Sequence, residues 1–156
     1  MSPRNPWLLA GGWLSVTAAL LHLAVILGGP QWYRFFGAGE EMAVAAELGS
    51  PVPLLITLTI ALLLAVWAAY AFSGAGLIRR LPLIRTALVL ISAMYLARGL
   101  ILLPMIIFYP HVISAIGPFE IWSSLIVLVY GAAYAIGTWR AWPHLSRREV
   151  SHALGS

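Results

Sequence analysis

Four stretches of this chain are apolar almost without interruption, and short segments rich in glycine, proline or charge separate them. A helix needs ~20 mostly apolar residues to cross the hydrocarbon core of a bilayer. The pattern predicts spans over about 7–27, 52–72, 85–109 and 118–139. Gly28, Gly29 and Pro30 close the first; Pro51 and Pro53 open the second, and Ser73 with Gly74 closes it; Arg140 ends the fourth. Proline suits a first helical turn, where its missing N–H has no partner to lose, and glycine suits the position just past the last turn. Pro104 lies inside the third span. The first apolar run exceeds the ~7–15 residues of a cleaved signal segment and has no small-x-small site after it, so it reads as a retained span.

Composition strengthens this picture. The chain has 156 residues, 62% of them hydrophobic and only 9% charged, whereas soluble domains carry about 25% charged residues. A globule of this size leaves too much surface in water to hide so many apolar side chains. The expected fold class is all-α: an integral membrane four-helix bundle filling residues 1–142, followed by a short polar tail over 143–156.

Charge gives the orientation. All nine basic residues are arginine; the acids are Glu40, Glu41, Glu47, Glu120 and Glu149. Arg4, Arg79, Arg80, Arg85, Arg140, Arg147 and Arg148 fall on one side of the predicted spans, and Arg34 and Arg98 toward the other. Positive residues accumulate in the cytoplasm, so both termini are expected there, in the inner membrane of a bacterium. Trp7, Trp67, Trp139 and Trp142 are expected at the inner interface and Trp32 and Trp122 at the outer one, where an indole ring meets lipid while its N–H meets water. The lipid bilayer is the expected partner. Nucleic acid is not, because no basic domain stands outside the spans.

The 28–50 segment is too long and too aromatic for a plain connection. It carries Trp32, Tyr33, Phe35 and Phe36, then a stretch from Glu40 to Leu48 that reads as a short helix with acids in its first turn. It is expected to form a structured cap on the outer end of the bundle.

Chemistry-bearing residues gather on the same side. His22 lies six residues before Gly28, roughly 9 Å below the outer end. Gly11, Ser15, Ala19 and His22 share one stripe of the first span, small and polar, the kind that packs against other helices. Arg98 sits about thirteen residues into the third span. By that count it is near mid-membrane, where a guanidinium must face protein or water and find a partner. Tyr95, one turn away, can share its face. Glu120 opens the fourth span, with Ser123 and Ser124 just below, and a carboxylate there calls for Arg98 or His22 as partner.

The expectation is a polar pocket in the outer half that binds, and in one version converts, a small amphipathic or lipid-like ligand. Arg98 and Arg34 would hold its polar group, with Tyr95 and Glu41 beside them. Trp32, Phe35 and Phe36 would line its apolar part, and His22, Glu120 and Glu40 are the acid–base candidates. Two other readings stay open: a small transporter or channel built as a homodimer through the small residues of the fourth span (Gly131, Ala133, Ala135, Gly137), and a non-catalytic accessory or scaffold protein whose buried polar groups fix the bundle. No phosphate loop, nucleophile elbow or HExxH pair is present. With no cysteine and only His22 well inside a span, neither a metal nor a cofactor is assigned. A zinc set of His22, His111 and a glutamate is the nearest approach on ligand type.

Overall fold

The computed structural model describes residues 4–108 and 118–145. His111 and the tail from 146 onward lie outside the described residues. The described chain is all-helical: α1 (Pro6–Gly28), α2 (Pro30–Phe35), α3 (Glu40–Glu47), α4 (Val52–Gly74), α5 (Ile84–Leu100), α6 (Leu102–Phe108) and α7 (Pro118–Leu145). Four helical stretches, Pro6–Gly28, Val52–Gly74, Ile84–Met105 and Phe119–Leu145, are long and apolar enough to cross a membrane.

These helices start and stop for local reasons. Asn5 caps α1: its Oδ1 accepts from the backbone N–H of Trp7 and Leu8, and Pro6 occupies the first helical position. Its Nδ2 donates to the Gly137 carbonyl at 2.7 Å, which ties the start of α1 to the end of α7. The third span is split. Pro104 has no N–H for the Leu100 carbonyl and its ring crowds that carbonyl, and Ile101 separates α5 from α6 at this point. At the other end, α7 continues past Trp139 to Leu145, with Pro143 inside it, because Leu145 is buried in the core.

α1 packs mainly on α4 and α5 mainly on α7; contacts of α1 with α7 and of α4 with α5 join the pairs into a bundle. The start of α1, the end of α4, the loop before α5 and the end of α7 meet at one end. That arginine-bearing end holds Arg4, Arg79, Arg80 and Arg140. α2 and α3 close over the opposite end. Lipid offers no hydrophobic drive for helix association, so close packing and interhelical hydrogen bonds must hold such a bundle together. The exterior is correspondingly apolar, with Leu20, Leu62, Leu90, Ile126 and Val129 all exposed on the isolated chain.

The small-residue stripes of α1 and α7 are used within the chain. Gly11 lies under the Tyr134 ring, Gly131 under Leu96, and Gly137 against Leu8. Gly99 of α5 lies against the backbone of Leu128, so Gly99 and Gly131 let α5 and α7 approach each other at two levels.

A line of three hydroxyls crosses the centre. Ser15 Oγ is 2.9 Å from Tyr95 Oη and 2.8 Å from Tyr134 Oη. Tyr134 donates to the Trp67 carbonyl at 3.0 Å. A hydroxyl has one proton, so Ser15 must donate to Tyr134, and Tyr95 to Ser15. The line joins α1, α4, α5 and α7 with a single consistent direction. The Trp67 ring packs edge-on to Tyr95 at 4.9 Å. Trp67 is thus partly buried against the core, on the face of α4 turned to α5.

Candidate functional site

The end covered by α2 and α3 brings together several of the predicted residues, in two separate groups. The first is Arg98, Glu120 and Ser124. Arg98 stands in the last turn of α5 and Glu120 in the first turn of α7, where each charge complements its helix dipole. Arg98 Nη1 donates to Ser124 Oγ at 3.0 Å and Nη2 to Glu120 Oε2 at 3.4 Å. Counting along an unbroken third span put Arg98 near mid-membrane. The break at Ile101 ends α5 early, and the guanidinium stands level with the opening turn of α7. Its side chain is 46% exposed and that of Glu120 43%, so the pair is open on one side.

Aromatic residues flank this pair. Phe36 follows α2 and meets Phe119 at the start of α7, with ring centroids 6.2 Å apart. It also stacks tilted on Trp32 and edge-on to Phe35. A Cβ at Gly37 would come within 2.8 Å of the Phe119 ring and 3.5 Å of Glu120 Oε1. The exit of α2 thus lies directly beside the carboxylate. Phe35 is mostly exposed and Trp32 about half so.

The second group is a clamp. Arg34 Nε and Nη2 donate to the carboxylate of Glu40, the closest contact 2.7 Å, and Nη1 donates to Glu47 Oε1 at 2.7 Å. One guanidinium thus holds the first and last residues of α3. Arg34 and Glu40, expected to face a ligand, neutralise each other instead. Glu47 was not among the candidates, although its seven-residue spacing from Glu40 puts both carboxylates on one face of a two-turn helix. Beneath the clamp, Val25 of α1, Tyr33 of α2 and Ala43 of α3 form a small buried cluster of their own. Glu41 is exposed and joins no ion pair among the described residues.

The hydrogen bonds from Arg34 hold the Glu40 carboxyl below its ordinary value of 4.5 and push the guanidinium further up. A depressed carboxyl contributes stability above its unfolded value and loses it as pH falls through the folded one. The clamp should therefore hold at neutral pH and release only below about pH 4.5. NMR titration of the Glu40 carboxyl should give a midpoint below the ordinary carboxylate value, returning to it in Arg34→Gln. An ordinary midpoint in the unaltered protein would exclude the clamp.

The remaining candidates lie apart from both groups. Tyr95 is buried in the hydroxyl line and not beside Arg98. At three residues' spacing the two side chains diverge by about 60° around the helix, enough to turn one to the bundle centre and the other to the groove between α5 and α7. His22 bonds through Nδ1 to the Ala18 carbonyl of its own helix at 2.8 Å. A carbonyl only accepts, so Nδ1 carries a proton and donates it to the helix backbone. Among the described residues no hydrogen bond joins His22 to Glu120, Glu40 or Arg98, and no three His, Asp or Glu side chains cluster as a metal would require.

Two cavities are prominent, and both lie elsewhere. One is an apolar groove of about 340 Å³ between α1 and α4, walled by residues such as Leu20, Leu58, Ala65 and Phe72. The other, about 1060 Å³, opens at the arginine-bearing end. Fold and composition define a multi-pass helical membrane protein with four spans. The chain matches no family model, no curated protein and no solved structure.

Proposed function

We propose that this is a small inner-membrane protein, both termini cytoplasmic, which binds an amphipathic or lipid-like molecule from the outer leaflet at the Arg98–Glu120–Ser124 group. The observation that carries this reading is the half-open state of Arg98. A guanidinium within a span is costly unless its donors are used. Arg98 has five N–H donors; one is given to Ser124 and one to Glu120 at long range. The others point to a polar partner from outside the chain, an anionic or carbonyl oxygen of a ligand. Phe36, Phe119 and Trp32 offer the apolar surface beside it for the rest of an amphipath. Binding is favoured over conversion, since His22, Glu40 and Glu120 each have a different partner and do not converge on one point. A transporter would need a polar route between Glu120 and the far end, and the interior between them is filled by the tyrosine cluster around Ser15.

Arg98→Leu, purified in folded form, should lose an amphipathic molecule that mass spectrometry finds with the unaltered protein, and Arg98→Gln should retain it only weakly. Charge-assisted bonds of this kind contribute about 1.5–3 kcal/mol, so retention should fall at least tenfold. Full retention in both variants would remove Arg98 from the site and the reading with it.

A further inference from the structure

The charges of the described chain divide between its two ends. Among the described residues, Glu40, Glu41, Glu47 and Glu120 all belong to the α2–α3 end, and none of them lines the cavity of about 1060 Å³ at the other. Arg4, Arg79, Arg80, Arg140 and His144 line that cavity, with Leu145 as part of its apolar wall. Among the described residues none of the four arginines forms an ion pair with a carboxylate.

The cavity is a built feature. Ser73 Oγ donates to the Arg79 carbonyl at 3.0 Å and accepts from the Leu81 N–H at 2.9 Å. This fixes the turn after α4 and sets Arg79 and Arg80 on one rim. Arg140 of α7 also lines the recess, with its guanidinium carbon 5.6 Å from the Trp7 ring centroid. Asn5, which lines the recess, is bonded to Gly137 and so ties the start of α1 to α7. Four cations from three separate segments thus converge on one recess, at the depth where Trp7 and Trp142 mark the interface between hydrocarbon and water.

We infer that this recess is a binding site for a phosphate-bearing anion, presented by the headgroup of an anionic phospholipid. Mutual repulsion among unpaired arginines disfavours their convergence unless an anion enters, and guanidinium groups match phosphate geometry with paired donors. The mixture of cationic rim and apolar wall suits a molecule whose phosphate lies next to acyl chain, as a lipid's does. The site is independent of Arg98 and stands at the other end of the bundle.

The test uses the full chain in nanodiscs of phosphatidylcholine alone and of phosphatidylcholine with phosphatidylglycerol, followed by native mass spectrometry of the retained lipid. Phosphatidylglycerol should be retained in preference to phosphatidylcholine. A surface cation contributes about fivefold to attraction of an anionic lipid. The Arg79→Gln/Arg80→Gln double variant, which alters only the rim, should therefore lower retention of phosphatidylglycerol by roughly thirtyfold and leave phosphatidylcholine unaffected. Arg4→Gln, on a different segment, should lower it about fivefold. A second arm titrates inorganic phosphate in neutral lipid. Phosphate that raises the unfolding temperature of the unaltered protein but not of the double variant, without any lipid preference, assigns the site to a soluble phosphate compound and removes the lipid. Equal retention of both lipids together with no response to phosphate overturns the site altogether.

Discussion

Gly99→Ala should destabilise the bundle even though alanine is the better helix former. Within a helix that exchange gains about 1 kcal/mol from backbone entropy. Here the new Cβ would lie 2.8 Å from both the Cα and the N of Leu128, closer than real carbon contacts come. Leu128 meets it with backbone, which cannot rotate away, so α5 and α7 must separate along their whole contact. Overpacking of this sort costs about 1–3 kcal/mol for one methyl, and more for larger groups. With two backbone atoms struck at once the cost belongs to the upper part of that range, so after the gain of about 1 kcal/mol the expected net loss is about 1–2 kcal/mol for Gly99→Ala, and no folded protein is expected from Gly99→Leu. Gly131→Ala, whose Cβ would meet the Leu96 side chain at 2.8 Å and its backbone N at 2.9 Å, should act in the same direction. The double variant should fall short of additivity, because the first substitution already opens the seam the second would strike. Equilibrium unfolding in detergent checks this: a Gly99→Ala protein as stable as the parent would mean that α5 and α7 are not packed as described.

Ser15→Ala is the second large effect. Ser15 is the middle of the hydroxyl line and completely buried. Its removal leaves the Tyr95 proton with no acceptor and Tyr134 with no donor. An orphaned buried hydroxyl costs about 1–3 kcal/mol, while interhelical hydrogen bonds in membranes have measured only about 0.6 kcal/mol on average and reached about 1.7. The expected loss lies at about 1–2 kcal/mol, because two bonds go together. Tyr134→Phe also breaks two bonds, those to Ser15 and to the Trp67 carbonyl, and should cost about as much; Tyr95→Phe should cost least, since Tyr95 only donates and its loss strands one lone pair. That ranking, read from the same unfolding experiments, is the signature of a directed line; equal effects at all three positions would contradict it.

The spans were legible because nothing but lipid explains four apolar runs of that length. Proline and glycine marked the ends of the first two spans to within a few residues, whereas the fourth helix runs to Leu145, six residues past the end the sequence predicts. The pairing of Glu120 with Arg98 was legible as one of two alternatives, since a carboxylate and a guanidinium near one level must meet something. The position of Tyr95 was not, because sequence spacing gives an angle around a helix but not the direction of the bundle axis. His22 was misleading for a related reason. A histidine in a span signals a need for a partner, and its own helix supplied one four residues back. The arginine-lined recess could be seen only as a rim charge, because convergence of α1, the α4–α5 turn and α7 is a property of packing. His144 falls in the polar segment after 142 by sequence, whereas the burial of Leu145 keeps α7 helical beyond Pro143.

The clamp of Arg34 on both ends of α3 has a mechanical consequence. Held by one guanidinium, α2 and α3 make a single plate. The plate is attached to the spans through Gly29 and Gly49, whose φ values of 67° and 73° are conformations that side-chain-bearing residues rarely adopt. A swing of this segment about those two glycines would keep the plate intact and would have to break the Phe36–Phe119 contact. Such a swing would uncover the Glu120 carboxylate through one rigid-body angle, without the melting of a loop.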